Sequence, residues 1–462
     1  MTRHGSSVAG ILGALALLAC ACGGPGSASP RPDGGPLRDA GLGDELSCTG
    51  SDVLCGSVCQ PESVSACGPS CTVCPQPALS HGMSDCVQNK CVFECVGGYA
   101  QCGAGACCGG QGVGDVAELA VGGETTCGVT VAGALFCWGS GAYGALADGV
   151  IADQSSSPVA VAGKSAGVVL VRLGDHHGCA LLTDRTLQCW GDDEQGQLGD
   201  GQRQPRPTPS EPVGLGSVVT GVATGGSHTC AVTTAGSLFC WGDNTSGQLG
   251  VAGASSVVQP AAVAGLGGAV KQVAAGEAFT CALLDGGQVQ CWGDGNNGQL
   301  GSAGSSDKPL VVAMPAPITA IAAGAQHACA ITAAGGVFCW GAGDRNQLGS
   351  ASGSTQPMPV AVPMITGAVA ISAGGNETCA IDGVGAVYCW GADPLGDVGL
   401  GPGGPGVVPS LTGGMAGVSV VGGHACAVTA RGAPKCWGTN NSGDLGDGTM
   451  VQSWVPIDVP GI

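Results

Sequence analysis

Short apolar runs separated by glycine-bearing turns recur seven times between residues 115 and 462. In the third copy, Ala231-Val232 and Leu238-Phe239 lie on either side of Thr234-Ala235-Gly236. Two such runs around a three-residue loop predict a β-hairpin, because a type I turn closed by a left-handed residue favours glycine at the last place. Six copies have glycine there, and Arg185 replaces it in the second.

The hairpin register follows from this loop. With residues 234–236 in the turn, Cys230 faces Cys240 and Val232 faces Leu238 on one side of the sheet, while Trp241 points to the other side. Both sides are apolar, so both must be covered. Radial stacking of small sheets achieves this. We therefore predict an all-β, seven-bladed β-propeller with one tryptophan in each wedge between blades.

Each hairpin carries a cysteine pair at constant spacing. Nine residues separate the two cysteines in every copy, whereas successive Cys-Trp-Gly triplets lie 52, 51, 51, 48, 50 and 47 residues apart. Such self-similarity is typical of a repeat architecture. The two cysteines face each other at a non-hydrogen-bonded position, near the lower separation limit of a disulfide, and buried free thiols are the alternative. The predicted cross-strand disulfides are Cys127–Cys137, Cys179–Cys189, Cys230–Cys240, Cys281–Cys291, Cys329–Cys339, Cys379–Cys389 and Cys426–Cys436.

The N-terminus is typical of an export signal. A short basic region at Arg3 precedes the apolar run 8–19, and residues 1–19 are predicted to be a signal peptide. Leu17-Leu18-Ala19-Cys20 resembles the lipobox of bacterial lipoproteins, which implies lipidation of Cys20. An ordinary signal peptide is the alternative. We expect a protein of the cell envelope, held at the outer membrane by its lipid alone and either surface-exposed or periplasmic, or else secreted.

Two further segments precede the repeats. Residues 20–46 are rich in Gly, Pro, Ser and Asp and predict a lipidated flexible tether. Residues 47–108 hold twelve cysteines, which predicts a small disulfide-stapled module. Zinc at Cys71 and Cys74 is the alternative, although no second Cys-x-x-Cys accompanies that pair. The repeats then occupy residues 115–462.

A recurrent element follows each Trp-Gly and characterises the repeat. Gly247-Gln248-Leu249-Gly250 and Gly298-Gln299-Leu300-Gly301 follow Asn/Asp-rich turns, and a Gly-x-x-His precedes the first cysteine in several copies. This pattern resembles the regulator of chromosome condensation repeat family, which implies a seven-bladed propeller. Nuclear members of that family exchange nucleotide on a small GTPase. We do not expect exchange here, because that client is not exported and fold alone does not carry function.

Composition narrows the function classes. The formal charge is −19, with 14 basic residues against 33 acidic ones, so a nucleic-acid surface is not expected. No nucleophile, phosphate loop or paired acid–base set is evident, and we predict no enzyme, no cofactor and no metal site. The four histidines of the repeats and the Asx residues after Trp-Gly are interpreted as structural hydrogen-bonding and turn residues rather than metal ligands. The histidines in question are His177, His228, His327 and His424.

The leading hypothesis is a monomeric binding scaffold that recognises an unknown protein or a cell-envelope component. The alternatives are a secreted enzyme inhibitor similar to propeller-type β-lactamase inhibitors, and a propeller lyase. We also expect the last strand-like segment, residues 454–459, to close the ring by pairing with residues 116–121, because the first blade has no such strand before it.

Overall fold

A computed structural model describes six strands between residues 52 and 109, and residues 115–462 except for 217, 351–352 and 393–404. The chain divides into two compact units, 1–96 with 101–107, and 97–100 with 108–462. In the first stretch the strands form three two-stranded sheets. These are β1 (Asp52–Cys55) with β2 (Val58–Pro61), β3 (Gly82–Val87) with β4 (Lys90–Cys95), and β5 (Tyr99–Gly103) with β6 (Ala106–Gly109).

The repeats form seven antiparallel sheets, each made of four strands that follow one another along the chain. The first strand of each blade lines the central channel and the fourth lies outermost. Blades 1 and 2 contain β7 (Val116–Gly122), β8 (Thr125–Thr130), β9 (Leu135–Ser140), β10 (Gln154–Ala160), β11 (Val168–Leu173), β12 (His177–Leu182), β13 (Leu187–Gly191) and β14 (Arg206–Ser210). Blades 3 and 4 contain β15 (Val219–Thr224), β16 (His228–Thr233), β17 (Leu238–Asp243), β18 (Ser256–Ala262), β19 (Val270–Ala275), β20 (Phe279–Leu284), β21 (Val289–Gly293) and β22 (Ser306–Val311).

The remaining three blades repeat the arrangement. Blade 5 contains β23 (Ile318–Ala323), β24 (His327–Thr332), β25 (Val337–Gly341) and β26 (Gln356–Ala361). Blades 6 and 7 contain β27 (Ala368–Gly374), β28 (Glu377–Asp382), β29 (Ala386–Gly391), β30 (Gly406–Thr412), β31 (Met415–Val421), β32 (His424–Thr429), β33 (Pro434–Gly438) and β34 (Ser453–Asp458). A single 3-10 turn, Ala142–Gly144, lies in the described part of the propeller.

The central hairpin of each blade has the predicted register. Cys230 lies opposite Cys240 and Val232 opposite Leu238. The turn residue Gly236 has φ +73°, and Arg185 adopts φ +69° at the matching place, so the left-handed conformation is kept even without glycine. All seven predicted cysteine pairs are joined as cross-strand disulfides with Cα atoms 4.1 Å apart.

The core lies between the blades rather than inside any one of them. The seven tryptophans of the triplets are at most 1% exposed, as predicted for wedge fillers. Trp241 of blade 3, for example, packs against Cys189, Leu187 and Leu198 of blade 2. A single thin sheet could not bury such a side chain, so each blade depends on its neighbour.

The predicted ring closure is wrong in its mechanism. Strand β34 pairs with β33 of its own blade, with Cys436 opposite Ile457, and not with β7. Blade 7 meets blade 1 by packing, where Val459 and Ile462 are buried against Trp138. The prediction failed because the first blade already has its outer strand, β10, which lies later in the sequence. Within the described residues, no helix is long and apolar enough to cross a membrane.

Candidate functional site

Strand order gives the propeller two distinct faces. We call "loop face" the end that carries the connections from the first to the second strand and from the third to the fourth strand of each blade. We call "turn face" the end that carries the hairpin turns between the second and third strands and the links between blades. Residues 192–205 therefore lie on the loop face, and residues 183–186 lie on the turn face.

A repeated hydrogen bond joins neighbouring blades beneath the loop face. Trp241 Nε1 donates to the carbonyl oxygen of Gln197 in the preceding blade at 2.8 Å. Five other tryptophans do the same with distances of 2.9 to 3.0 Å. The residue that this pattern assigns to Trp437, Asp397, lies outside the described residues. The bond uses main-chain acceptors, so it survives when the side chain there changes, as at Ala145.

The buried histidines belong to the same junctions. His177 Nε2 lies 2.9 Å from Thr229 Oγ1 of the next blade, and that hydroxyl donates to the Gln197 carbonyl oxygen at 2.8 Å. Because the hydroxyl has one proton and gives it to the carbonyl, the histidine must carry its proton on Nε2 and donate it. The same arrangement joins His228 to Thr280, His327 to Thr378 and His424 to Thr126.

These histidines are neutral structural donors. Burial lowers the pKa of His177 to about 3 and the pKa of His228, His327 and His424 to about 4. The blades without this histidine show the matching change in sequence. Phe279, Thr125 and Glu377 are followed in the next blade by Ala328, Gly178 and Ala425 instead of threonine. Histidine and threonine thus occur together or not at all, which supports their structural interpretation.

The Asx residues after Trp-Gly fasten their own loops. Gln248 Nε2 donates to Asp243 Oδ2 at 2.6 Å, and its Oε1 accepts the main-chain N–H of Ser246. Asn244 Oδ1 accepts the N–H of Leu249 at 3.0 Å. Blade 2 contains the same three bonds. Blade 4 contains the two bonds of its glutamine, whereas Gly295 stands where blade 3 has Asn244. No group of three or more His, Cys, Asp or Glu side chains suited to a metal ion occurs in the described residues.

Blade 1 departs from this loop design. Ser140 and Ala145 stand where blade 3 has Asp243 and Gln248, so the side-chain lock is absent from this loop. Tyr143 takes a left-handed conformation, φ +60°, and its side chain is 39% exposed. Its ring centroid lies 5.3 Å from that of His176 in blade 2. An aromatic residue is therefore displayed on the loop face at the junction of these two blades.

A central channel of about 920 Å³ opens at this face. Its wall is mostly Gly, Ala and Val from the innermost strands. Inside it, Arg172 Nη1 pairs with Glu118 Oε1 at 2.6 Å. Glu124, Asp175 and Glu277 line the channel from the loop-face connections. Asp175 retains exposed surface, but crowding at the mouth still desolvates its carboxyl and raises its pKa, against the opposing effect of His176.

The two faces differ in charge. Among the described residues, the connections of the loop face carry thirteen carboxylates and two arginines, whereas those of the turn face carry three carboxylates and three basic side chains. Two loop-face carboxyls are buried. Burial raises the pKa of Asp193 to about 6, and burial together with nearby Glu124 raises the pKa of Asp444 to about 6.

Among the described residues, the site residues predicted from the sequence do not lie at the channel mouth or beside Tyr143. The fourteen repeat cysteines lie in seven separate hairpins and converge on no common site. Cys20 and the side chains of the cysteine-rich segment 47–108 lie outside the described residues. Tyr143 and the acids of the channel mouth were not predicted. The departure of Ser140 and Ala145 from the repeat pattern was the available signal for Tyr143.

Comparison with known proteins places the repeats in a family. The model of the RCC1-like domain matches residues 216–462, more than half of the chain, and the regulator of chromosome condensation (RCC1) repeat matches 132–181 and 187–232. The ultraviolet-B receptor UVR8 of Arabidopsis thaliana is 34% identical over 152 residues, which are 32% of this chain and 34% of UVR8. The human E3 ubiquitin-protein ligase HERC2 is 39% identical over 141 residues, 30% of this chain and 3% of HERC2. The matches thus span about a third or less of these relatives.

Two solved structures share the fold. Human WBSCR16 superposes with a TM-score of 0.63 and 24% identity, covering 71% of this chain and 94% of that one. Prp20p of Saccharomyces cerevisiae superposes with a TM-score of 0.63 and 20% identity, covering 72% and 87% of the two chains. At this identity the likeness concerns the fold alone.

Proposed function

The chain belongs to the RCC1-like family of β-propellers, and from that premise we propose that it is an exported scaffold that binds a protein through its loop face. The framework is compatible with a binding role because its junctions are fastened by buried hydrogen bonds that do not involve the exposed side chains. Binding surfaces held on rigid elements lose little conformational entropy on association.

The observation that carries the binding proposal is the locking of the loops. Asp192, Gln197 and the N–H of Gln195 bond to one another, so the adjacent Glu194 is presented from a fixed backbone. Blade 3 presents Thr245 from the same framework. Loops that share one backbone but differ in their exposed residues suit recognition of a partner. Prp20p, whose published description concerns binding to Gsp1p and histones, shows that a propeller of this fold can bind proteins.

The proposed compartment follows from cysteine chemistry. The fourteen disulfide cysteines are at most 1% exposed. Disulfides in such number form and persist where thiols are oxidised, outside the cytosol. We infer that the mature chain begins at a lipidated Cys20 and is tethered to the cell envelope through residues 20–46.

Site-specific photo-crosslinking in the producing cells tests the binding proposal. A benzophenone amino acid would replace Glu194, Thr245 or Asn296 on the loop face, and Asp184, Thr234 or Ala333 on the turn face as matched exposed controls. We expect discrete protein adducts from the loop-face positions. Absence of adducts from both faces would overturn the scaffold function.

Metabolic labelling tests the compartment separately. An alkyne-tagged palmitate should label the chain in the envelope fraction, and Cys20→Ser should abolish the label. In the unreduced native protein, the fourteen repeat cysteines should resist alkylation under denaturing conditions. Reactive thiols at those positions would contradict the proposed export.

A further inference from the structure

We propose that the loop-face mouth of the channel, together with Tyr143 and His176, docks a basic segment of the partner protein, a loop or tail that carries arginine or lysine. This inference rests on the proposed function and specifies where on the loop face the partner binds and what chemistry it presents. Two independent features of this region support it: the carboxylates at the mouth and a displayed aromatic pair.

Among the described residues, the mouth carries more carboxylates than cations. Glu124, Asp175 and Glu277 line it. Arg172, the one basic residue among the described lining residues, already pairs with Glu118 and donates to the Val171 carbonyl oxygen. The channel wall is built from small side chains, which leaves about 920 Å³ open beyond the mouth. A long side chain that ends in a cation can enter such a space and place its charge among the three carboxylates.

The carboxyl group of Asp444 lies near Glu124 but does not line the channel. Glu124 Oε2 accepts a hydrogen bond from Ser442 Oγ at 3.0 Å, and the main chain of Ser442 donates to Asp444 Oδ2. The other oxygen of that carboxyl, Asp444 Oδ1, has no hydrogen-bond partner in the described part of the chain, and the residue is only 2% exposed. That oxygen is enclosed beside Gly139, so Asp444 adds negative charge near Glu124 without offering a contact to an incoming cation.

Tyr143 supplies the apolar contact that a purely acidic patch lacks. Of the large apolar side chains that are exposed in the described residues, it is the one aromatic. Its ring neighbours His176, which follows Asp175 of the mouth directly in the chain. Tyrosine is enriched among residues that dominate binding energy, and guanidinium groups stack on its face. The aromatic pair and the acids therefore form one surface that fits an arginine-bearing segment.

The turn face offers a matched surface for comparison. Its connections balance three carboxylates with three basic groups, and it exposes aliphatic side chains such as Met364 and Val384 rather than an aromatic one. A basic segment has no electrostatic reason to prefer that face.

Fluorescence anisotropy with a labelled hexa-arginine peptide tests the proposal on the full, oxidised chain. The variant Glu124→Gln/Asp175→Asn/Glu277→Gln removes three charges from the mouth, and Asp184→Asn/Glu211→Gln/Asp285→Asn removes three from the turn face. We expect the first to weaken binding about tenfold, the loss equivalent to about 1.4 kcal/mol, and the second to change it less than about twofold. Equal weakening in both, or no binding by the native chain, would overturn the proposal.

A second variant separates docking from simple charge attraction. Tyr143→Ser introduces the residue found at this loop position in blades 3 and 7, and should weaken the peptide roughly threefold without lowering the melting temperature. If the affinity were unchanged and spermine competed as well as unlabelled peptide, the mouth would bind any polycation non-specifically. That result would reject a protein-docking site. Loop-face crosslinks that persist in the triple variant Glu124→Gln/Asp175→Asn/Glu277→Gln would also reject this site while leaving the loop-face scaffold function intact.

Discussion

Blades 1 and 3 share a framework but differ in how the side chains of the loop between their third and fourth strands are bonded. In both, a disulfide joins the central strands and a tryptophan donates to the preceding blade. In blade 3 the loop is fastened by Asp243 and Gln248, and its side chains satisfy one another. In blade 1 that lock is missing, and Tyr143 is displayed in a left-handed conformation.

The difference shows which parts of the repeat can vary. Groups between blades are kept because an altered wedge would disturb two sheets at once. Exposed side chains on the loop face can change more freely, since water replaces a hydrogen bond that they lose at little cost in stability. Departures from the repeat on this face are therefore the places to look for function.

The largest expected effect comes from the shared wedge. Trp241→Ala should lower the free energy of unfolding by about 3–5 kcal/mol, because it empties a fully buried site between blades 2 and 3. Trp190→Ala, between blades 1 and 2, should lower the free energy of unfolding by the same amount, since Trp190 and Trp241 both donate to a main-chain carbonyl oxygen. Urea denaturation measures both, with half-buried Phe239→Ala as the smaller control. A clearly milder Trp190 variant would show that blade 1 departs in its framework too.

The disulfides should come next. Removing the pair Cys230/Cys240 by alanine substitution should cost about 2–3 kcal/mol in the chain-entropy view of an eleven-residue closed segment. The pair Cys127/Cys137 of blade 1 should cost the same, because the loop lengths are equal. Denaturation midpoints under non-reducing conditions provide the comparison, and a disulfide that mattered in one blade alone would contradict a common framework.

Acid should affect the stability of blades 1 and 3 differently, because blade 3 has His228 where blade 1 has Thr125. The folded pKa of His228 is about 4, below its ordinary 6.5, so the unfolded chain binds the proton more readily. Stability is thus retained above about pH 6.5 and falls as the pH drops towards 4. The raised pKa values of Asp153, Asp175, Asp193 and Asp444 act in the opposite direction. The histidines outweigh them, because the pKa of each of the four, about 3 or 4, lies further from its ordinary value than the pKa of about 6 does for Asp193 or Asp444.

We therefore expect the unfolding free energy to decrease from pH 7 to pH 5. His228→Gln keeps a donor for Thr280 and removes the titration, so it should flatten that slope by about 2 kcal/mol over the interval. Thr125→Gln at the equivalent place in blade 1 should leave the slope unchanged. Parallel melting curves at the two pH values decide the matter, and an unaltered slope in the histidine variant would be the contrary result.

The loop lock itself should give the smallest effect. Gln248→Ala removes two hydrogen bonds of a buried side chain whose partner Asp243 is half-buried, and should lower the free energy of unfolding by about 1 kcal/mol. The reverse change in blade 1, Ala145→Gln, should gain almost nothing, because Ser140 offers no carboxylate to its amide. Differential scanning calorimetry can resolve the two. A gain in blade 1 equal to the loss in blade 3 would mean that its loop retains the locked geometry.

Features of the fold that depend on contacts close in sequence were predicted correctly from the chain. The turn at Gly236 and the facing of Cys230 and Cys240 follow from hairpin geometry over eleven residues. The same reasoning failed for β34, because pairing with either β33 or β7 satisfies the apolar pattern of that strand. Only the position of β10 in its own blade decides between them.

The hairpin, the number of blades, the cysteine pairs and the buried tryptophans are predictable from the chain alone, because each depends on short-range periodicity. The tertiary structure alone decided which groups meet across blades: His228 with Thr280, and Tyr143 with His176. It also collected Glu124, Asp175 and Glu277, which are up to 153 residues apart, around one channel mouth. Ring closure converts a linear spacing of about fifty residues into contact, and no local pattern encodes which exposed residues will share that opening.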